Sequence, residues 1–107
     1  MKTLIICICT YNRKESLSKC LKSLGKLNNS SILKIIILII DNTTSNQSFE
    51  LIKKIKKKFK YKIILVNEKK RGVVHARNKA LNKLKSLNPH YVSFIDDDCT
   101  VNKSWLV

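Results

Sequence analysis

The sequence predicts an α/β fold: an open, mainly parallel sheet with helices on both faces. Two observations point to it. Short apolar, β-prone runs alternate with stretches of helical period in the order βαβαβαβ. The second run, Ile35 to Ile40, is apolar at every position, as a parallel strand covered on both faces requires.

Residues 3–9 are apolar and read as a buried first strand. Asn12-Arg13-Lys14-Glu15 has the spacing of a capping box, and Leu17, Cys20, Leu21 and Leu24 follow on one helical stripe. Gly25 or the Asn28–Ser31 cluster ends that helix. After the Ile35–Ile40 strand, Ser45 to Ser48 opens a second helix with Phe49, Ile52, Ile55 and Phe59 inward. Lys62 to Val66 is a short third strand. A third helix runs from about Val73 to Leu87, with Ala76, Ala80, Leu84 and Leu87 on its apolar stripe. Asn88-Pro89 stops it, and Tyr91 to Ile95 forms the fourth strand.

The 107 residues allow one domain. The 22 Lys and Arg against seven acids give a net charge of +15, which suggests an anionic partner. All but three of the basic residues are Lys, however, and only Arg13, Arg71 and Arg77 offer the planar fork that grips phosphate best. No apolar run exceeds six residues, where a membrane span needs about 20. The apolar start is too short for a signal peptide and leads into Thr10-Tyr11-Asn12-Arg13 rather than a small-residue cleavage site. A cytoplasmic protein is therefore expected, with peripheral contact at the inner face of the membrane as its one route to lipid. Cys7, Cys9, Cys20 and Cys99 form no C-x-x-C and read as reduced thiols, with no zinc-ligand spacing to His75 or His90.

Ligands of open α/β sheets bind beyond the carboxyl ends of the strands. Three strands end in polar clusters: Thr10-Tyr11-Asn12, Asp41-Asn42 and Asp96-Asp97-Asp98. Parallel strands bring all three to one edge. Adjacent carboxylates repel unless a cation sits among them, and oxygen ligands suit Mg²⁺ or Mn²⁺. Strand alternation puts Asp96 and Asp98 on one side and Asp97 on the other. Asp41-Asn42 reads either as an Asx turn or as a group that bonds a base edge, and Tyr11 either stacks on a base or packs under the first helix. The basic loop Glu68–Gly72, entering a helix that carries Arg77, is suited to hold phosphate. Arg77 has a second reading, as a structural partner to a strand-end Asp. Residues 50–70 carry nine Lys and two Glu, which reads as a solvated helix face or a patch for anionic lipid. Nucleic-acid binding is disfavoured, because aromatics are few and no recognised module is present.

Cys9-Thr10-Tyr11-Asn12-Arg13, Ile40-Asp41-Asn42, Gly72 with Ala76-Arg77-Asn78, and Phe94-Ile95-Asp96-Asp97-Asp98 followed by Trp105-Leu106 resemble family 2 glycosyltransferases of the GT-A fold. The resemblance spans the whole chain in the right order. It implies a nucleotide-diphospho-sugar donor, a divalent metal (Mn²⁺ or Mg²⁺) and transfer with inversion to an acceptor glycan or lipid. Carried over residue by residue, it implies that Cys9, Thr10, Tyr11 and Arg13 line the base pocket, with Tyr11 under the ring. Asp41 or Asn42 would bond the base, and the family often has a second Asp where Asn42 stands. Asp96 and Asp97 would lie by the ribose and diphosphate, Asp98 would be the principal metal ligand with Asp96 beside it, and Arg77 would brace the aspartates or approach the diphosphate. The family's catalytic base is expected downstream of residue 107, and Glu15, Glu50 and Glu68 do not match its position. Residues 1–107 are thus expected to be the N-terminal, donor-binding portion of one GT-A domain, with no second domain and little activity alone. A non-catalytic remnant, or a basic module for nucleic acid or anionic membrane, is the rival reading.

Overall fold

In the computed structural model, which describes residues 1–28, 33–43 and 47–106, seven elements alternate along the chain. They are β1 (Lys2–Thr10), α1 (Lys14–Gly25), β2 (Leu33–Asp41), α2 (Gln47–Lys56), β3 (Lys62–Asn67), α3 (Val73–Leu87) and β4 (Tyr91–Asp96). The four strands form one all-parallel sheet in the order β3-β2-β1-β4.

The chain steps outward from β1 through β2 to β3, then crosses back to place β4 on the other side of β1. A constant crossover hand requires the helices to change face at that reversal, and they do. Leu4, Ile6 and Ile8 of β1 join Ile35, Ile37 and Ile39 of β2 in a core with Leu17, Cys20, Leu21 and Leu24 of α1 and Leu51 and Ile52 of α2. The alternate residues, Ile5, Cys7, Ile36, Leu38 and Ile40, pack on the opposite face against Ala76, Ala80 and Leu84 of α3. Period-two alternation in two strands covered on both faces explains why neither shows a polar residue from Leu4 to Cys9 or from Ile35 to Ile40.

The register aligns those ends. Thr10 pairs with Asp41, Asp41 with Asn67, and Cys9 with Asp96. The point where strand order reverses lies between β1 and β4, and there Thr10 and the three aspartates meet.

Several local expectations are corrected. The capping box does not form: Arg13 occupies the N-cap with no side-chain hydrogen bond. Asn12 instead takes a left-handed backbone (φ 54°), and its N–H donates to Thr43 Oγ1 at 2.7 Å. Phe49 is 55% exposed rather than inward, because Ser48, Leu51 and Ile52 form the buried stripe of α2. Phe59 lies beyond the end of α2 and packs on Gly25, where an added Cβ would come within 3.1 Å of its ring. α1 ends at Gly25; of the alternative stop, residues 29–31 lie outside the described residues, as does Ser45. α3 closes on Asn88, which is left-handed (φ 50°) and donates its N–H to Leu84 O.

Beyond the third aspartate the chain folds back under α1. Val101 N–H donates to Ser23 Oγ at 3.1 Å, Asn28 N–H donates to Lys103 O at 2.7 Å, and Val101 and Leu106 rest on the α1 side of the core. No helix among the described residues is long and apolar enough to cross a membrane.

Ile37 is fully buried at the middle of β2. Ile37→Ala should lower the unfolding free energy by about 2–5 kcal/mol in urea titration, whereas Lys57→Ala on the exposed turn after α2 should stay within about 0.5 kcal/mol.

Candidate functional site

The three consecutive aspartates divide between two environments. Asp97 turns inward: it is buried, its Oδ2 accepts a hydrogen bond from Thr10 Oγ1 at 2.8 Å, and its Oδ1 lies 3.5 Å from Arg13 Nη1. Asp96 and Asp98 are exposed, and their carboxylates gather with the Cys99 thiol so that one ligand atom from each lies within 4.8 Å of the others. A backbone turn closed by Cys99 N–H to Asp96 O at 3.1 Å produces this grouping. Arg13 bridges the two environments, with Nη1 also 3.8 Å from Asp98 Oδ2.

Two cavities meet at Arg13. The smaller, about 370 Å³, is walled by Cys9, Thr10, Tyr11, Asn42, Arg71, Gly72 and Asp97. The larger, about 590 Å³, runs past Asn12, Glu15, Gln47 and Asp98. Tyr11 does not pack under α1. Its ring is 40% exposed and the Arg71 guanidinium sits 4.7 Å from its centroid, a cation–π contact.

Asn42 lines the smaller cavity, and its neighbour Asp41 is buried at the end of β2. Asp41 Oδ1 accepts from Thr43 N–H at 3.0 Å, which is an Asx turn. Asn42 Nδ2 donates to Glu68 O and Lys70 O, and its Oδ1 accepts from Gly72 N–H, all at 2.8 Å. Every polar atom of the Asn42 amide is thus engaged by the 68–72 loop. Gly72 itself has φ 128°, a conformation that side chains rarely adopt, and its position before α3 depends on that freedom. The Arg77 guanidinium lies over the ring of Phe94, two residues before Asp96 on β4, at 5.7 Å.

Cys9 has an altered acidity. Its thiol is lowered to about 7, because Cys7 donates a hydrogen bond to its sulfur and Arg77 lies nearby, against opposing effects of burial and Asp97. Cys7, as the donor, is correspondingly raised. Burial pushes Cys20 up to about 12, reinforced by the negative field of Cys99, Asp97 and Asp98.

Of the residues that sequence reasoning selected, Cys9, Thr10, Tyr11, Arg13, Asn42 and Asp97 share the smaller cavity, Asp98 lines the larger, and Asp96 joins Asp98 in the acidic group. Asp41 is buried in its Asx turn, and Arg77 lies over Phe94 and near Cys9. Sequence reasoning missed Cys99, whose only signal was its place directly after the third aspartate.

A doubly wound sheet whose switch-point crevice carries a strand-end acidic cluster defines an α/β protein of the GT-A type. The chain belongs to glycosyl transferase family 2, whose family model matches residues 5–107. Among solved structures, the chain is similar to S. aureus TarS 1-349 in complex with UDP, with a TM-score of 0.77 and 25% identity over 99% of this chain and 30% of that one. It is also similar to S. aureus TarS 1-349 in complex with UDP-GlcNAc (TM-score 0.66, 26% identity, 96% and 28% covered) and to S. aureus TarS (TM-score 0.72, 25% identity, 97% and 18% covered). The chain therefore spans between 18 and 30% of the length of these structures. No curated protein matches it.

Asn42→Ala removes three hydrogen bonds to the 68–72 loop. It should destabilise the fold by about 1–3 kcal/mol in urea titration. Iodoacetamide mapping by mass spectrometry should find Cys9 alkylated with a midpoint near pH 7, while Cys20 stays unmodified until the protein unfolds.

Proposed function

We propose that this chain binds a nucleoside-diphospho-sugar donor at the β1/β4 crevice, as part of an enzyme that transfers the sugar to an acceptor hydroxyl. The observation that carries the reading is the convergence, within a family 2 chain, of the β1 end loop and the Asp96–Asp98 cluster on one cavity edge. The two TarS structures solved with UDP and UDP-GlcNAc support a uridine nucleotide as the first donor to try.

In this reading the base enters the smaller cavity beside Tyr11 and Arg71, either on the exposed part of the tyrosine ring or by displacing the guanidinium. Asn42 acts through the loop it holds rather than by bonding the base. Asp97 orients Arg13, which faces both cavities and offers its guanidinium to the diphosphate. Asp96 and Asp98 are a donor set fit for a divalent cation, Mn²⁺ or Mg²⁺, which when bound offsets charge on the departing nucleoside diphosphate. None of Glu15, Glu50 or Glu68 is assigned as the base that deprotonates the acceptor, and the chain on its own is expected to transfer no sugar.

Calorimetry with UDP, GDP and dTDP, with and without Mn²⁺, tests the reading. UDP should bind at least about tenfold more tightly with Mn²⁺, a gain of about 1.4 kcal/mol, and Asp98→Ala should abolish that gain. Binding that ignores both Mn²⁺ and Asp98 would remove the metal from the reading, and no nucleotide binding at all would remove the donor site.

A further inference from the structure

The stretch from Lys53 to Lys62 carries seven lysines and no acid, and none of them lines either cavity of the donor site. These lysines border an apolar groove. It has a volume of about 490 Å³ and opens between α2 and β3, the edge strand of the sheet. Ile52 and residues 63–65 supply its apolar lining, and the exposed Lys53, Lys56 and Lys62 its charged lining. Phe49 lines it too, with 55% of its surface in solvent. Phe49, Ile52, Lys53 and Lys56 are spaced i, i+3, i+4, i+7, so one stripe of α2 carries the ring and two of the ammonium groups. Glu50, the only acid on α2, lies off that stripe. Among the described residues, none of the three groove lysines is in an ion pair.

The groove and its rim ask for two chemistries at once. An exposed ring beside apolar walls is satisfied by hydrocarbon. Lysine stems lie along such walls while their ammonium groups reach anions above them. An anionic bilayer surface offers that combination, phosphates in a plane over acyl chains. Nucleic acid fits less well. The stretch holds no Arg, and its two aromatics are engaged inward, Phe59 on Gly25 and Tyr61 through its hydroxyl on Leu27 O. We infer that the α2/β3 groove docks on an anionic lipid bilayer, with Phe49 entering the acyl boundary and Lys53, Lys56 and Lys62 holding lipid phosphates. The inference is independent of the donor-site reading, because the groove shares no residue with either of its cavities.

Sedimentation of the intact chain with vesicles tests the surface. It should bind vesicles of equal parts phosphatidylglycerol and phosphatidylcholine, and should not bind vesicles of phosphatidylcholine alone. Lys53→Gln with Lys56→Gln should weaken binding about tenfold or more. Lys83→Gln with Lys85→Gln removes the same charge from α3, on the opposite side of the sheet, and should weaken it less than about threefold. Phe49→Ser should weaken binding about fivefold or more with no change of charge. In a Trp105→Phe background, Phe49→Trp should shift its fluorescence to the blue with the anionic vesicles only. Equal losses from the two lysine pairs would reduce the binding to net charge and overturn the groove. No binding to anionic vesicles overturns the surface outright. If Lys53 and Lys56 govern binding to a single-stranded RNA while Phe49→Ser leaves vesicle binding unchanged, the partner is nucleic acid and the lipid assignment fails.

Discussion

The first strand governs the rest of the molecule. β1 has a hydrogen-bonded neighbour on each edge and a helix layer on each face, so from Leu4 to Ile8 every side chain is buried and apolar. A strand enclosed in this way can turn polar only where it leaves the sheet, and it does so at Thr10. The same position is where the chain's outward winding stops and its return begins. Because all four strands run in one direction, the polar ends of β2, β3 and β4 must arrive beside Thr10. The site is a consequence of strand direction before any of its residues is considered.

Electrostatics at that edge follow from how the aspartates are distributed. Three adjacent carboxylates are tolerable because they do not share one environment. Asp97 has a hydroxyl donor and a guanidinium, Asp98 shares that guanidinium, and Asp96 stands in solvent at the strand tip. Around them Arg13 and Arg71 give the cavity a positive wall in a chain of net charge +15. The combination attracts an anionic ligand to the crevice while keeping a local acidic pole within it. The many lysines on α2 and the turn after it are directed to solvent, away from this edge, so charge count and site are separate properties of the surface.

What the sequence made legible was whatever depends on near neighbours. Strand and helix order, the two-sided burial of Ile35 to Ile40 and the division of Asp96 and Asp98 from Asp97 follow from local periodicity, and all are present in the structure. What escaped depends on partners far along the chain. The box at Asn12 and Glu15 has the right spacing, yet Thr43, 31 residues away, takes the Asn12 N–H and turns the backbone left-handed. Asn42 reads as a group free to meet a ligand, but its amide is engaged by backbone atoms of residues 68, 70 and 72, which no local pattern signals. Phe49 has the periodicity of a core residue and loses to Leu51 and Ile52, which lie on the stripe facing the sheet.

β4 differs from β1 in one respect that bears on how the site behaves over time. It is an edge strand, and Val92 and Phe94, which share a face with Ile5 and Cys7, remain 43% and 42% exposed because α3 lies over β1 and β2. Strands with few buried contacts open locally, at a free energy well below that of global unfolding. The acidic cluster hangs from the end of this strand, so its order is set by the local opening of β4 and not by the stability of the core. The Thr10–Asp97 hydrogen bond is the side-chain stitch between the two strand ends. A ligand gripping both sides of it would do to β4 what burial does to β1, and amide exchange in that strand would slow as the crevice fills.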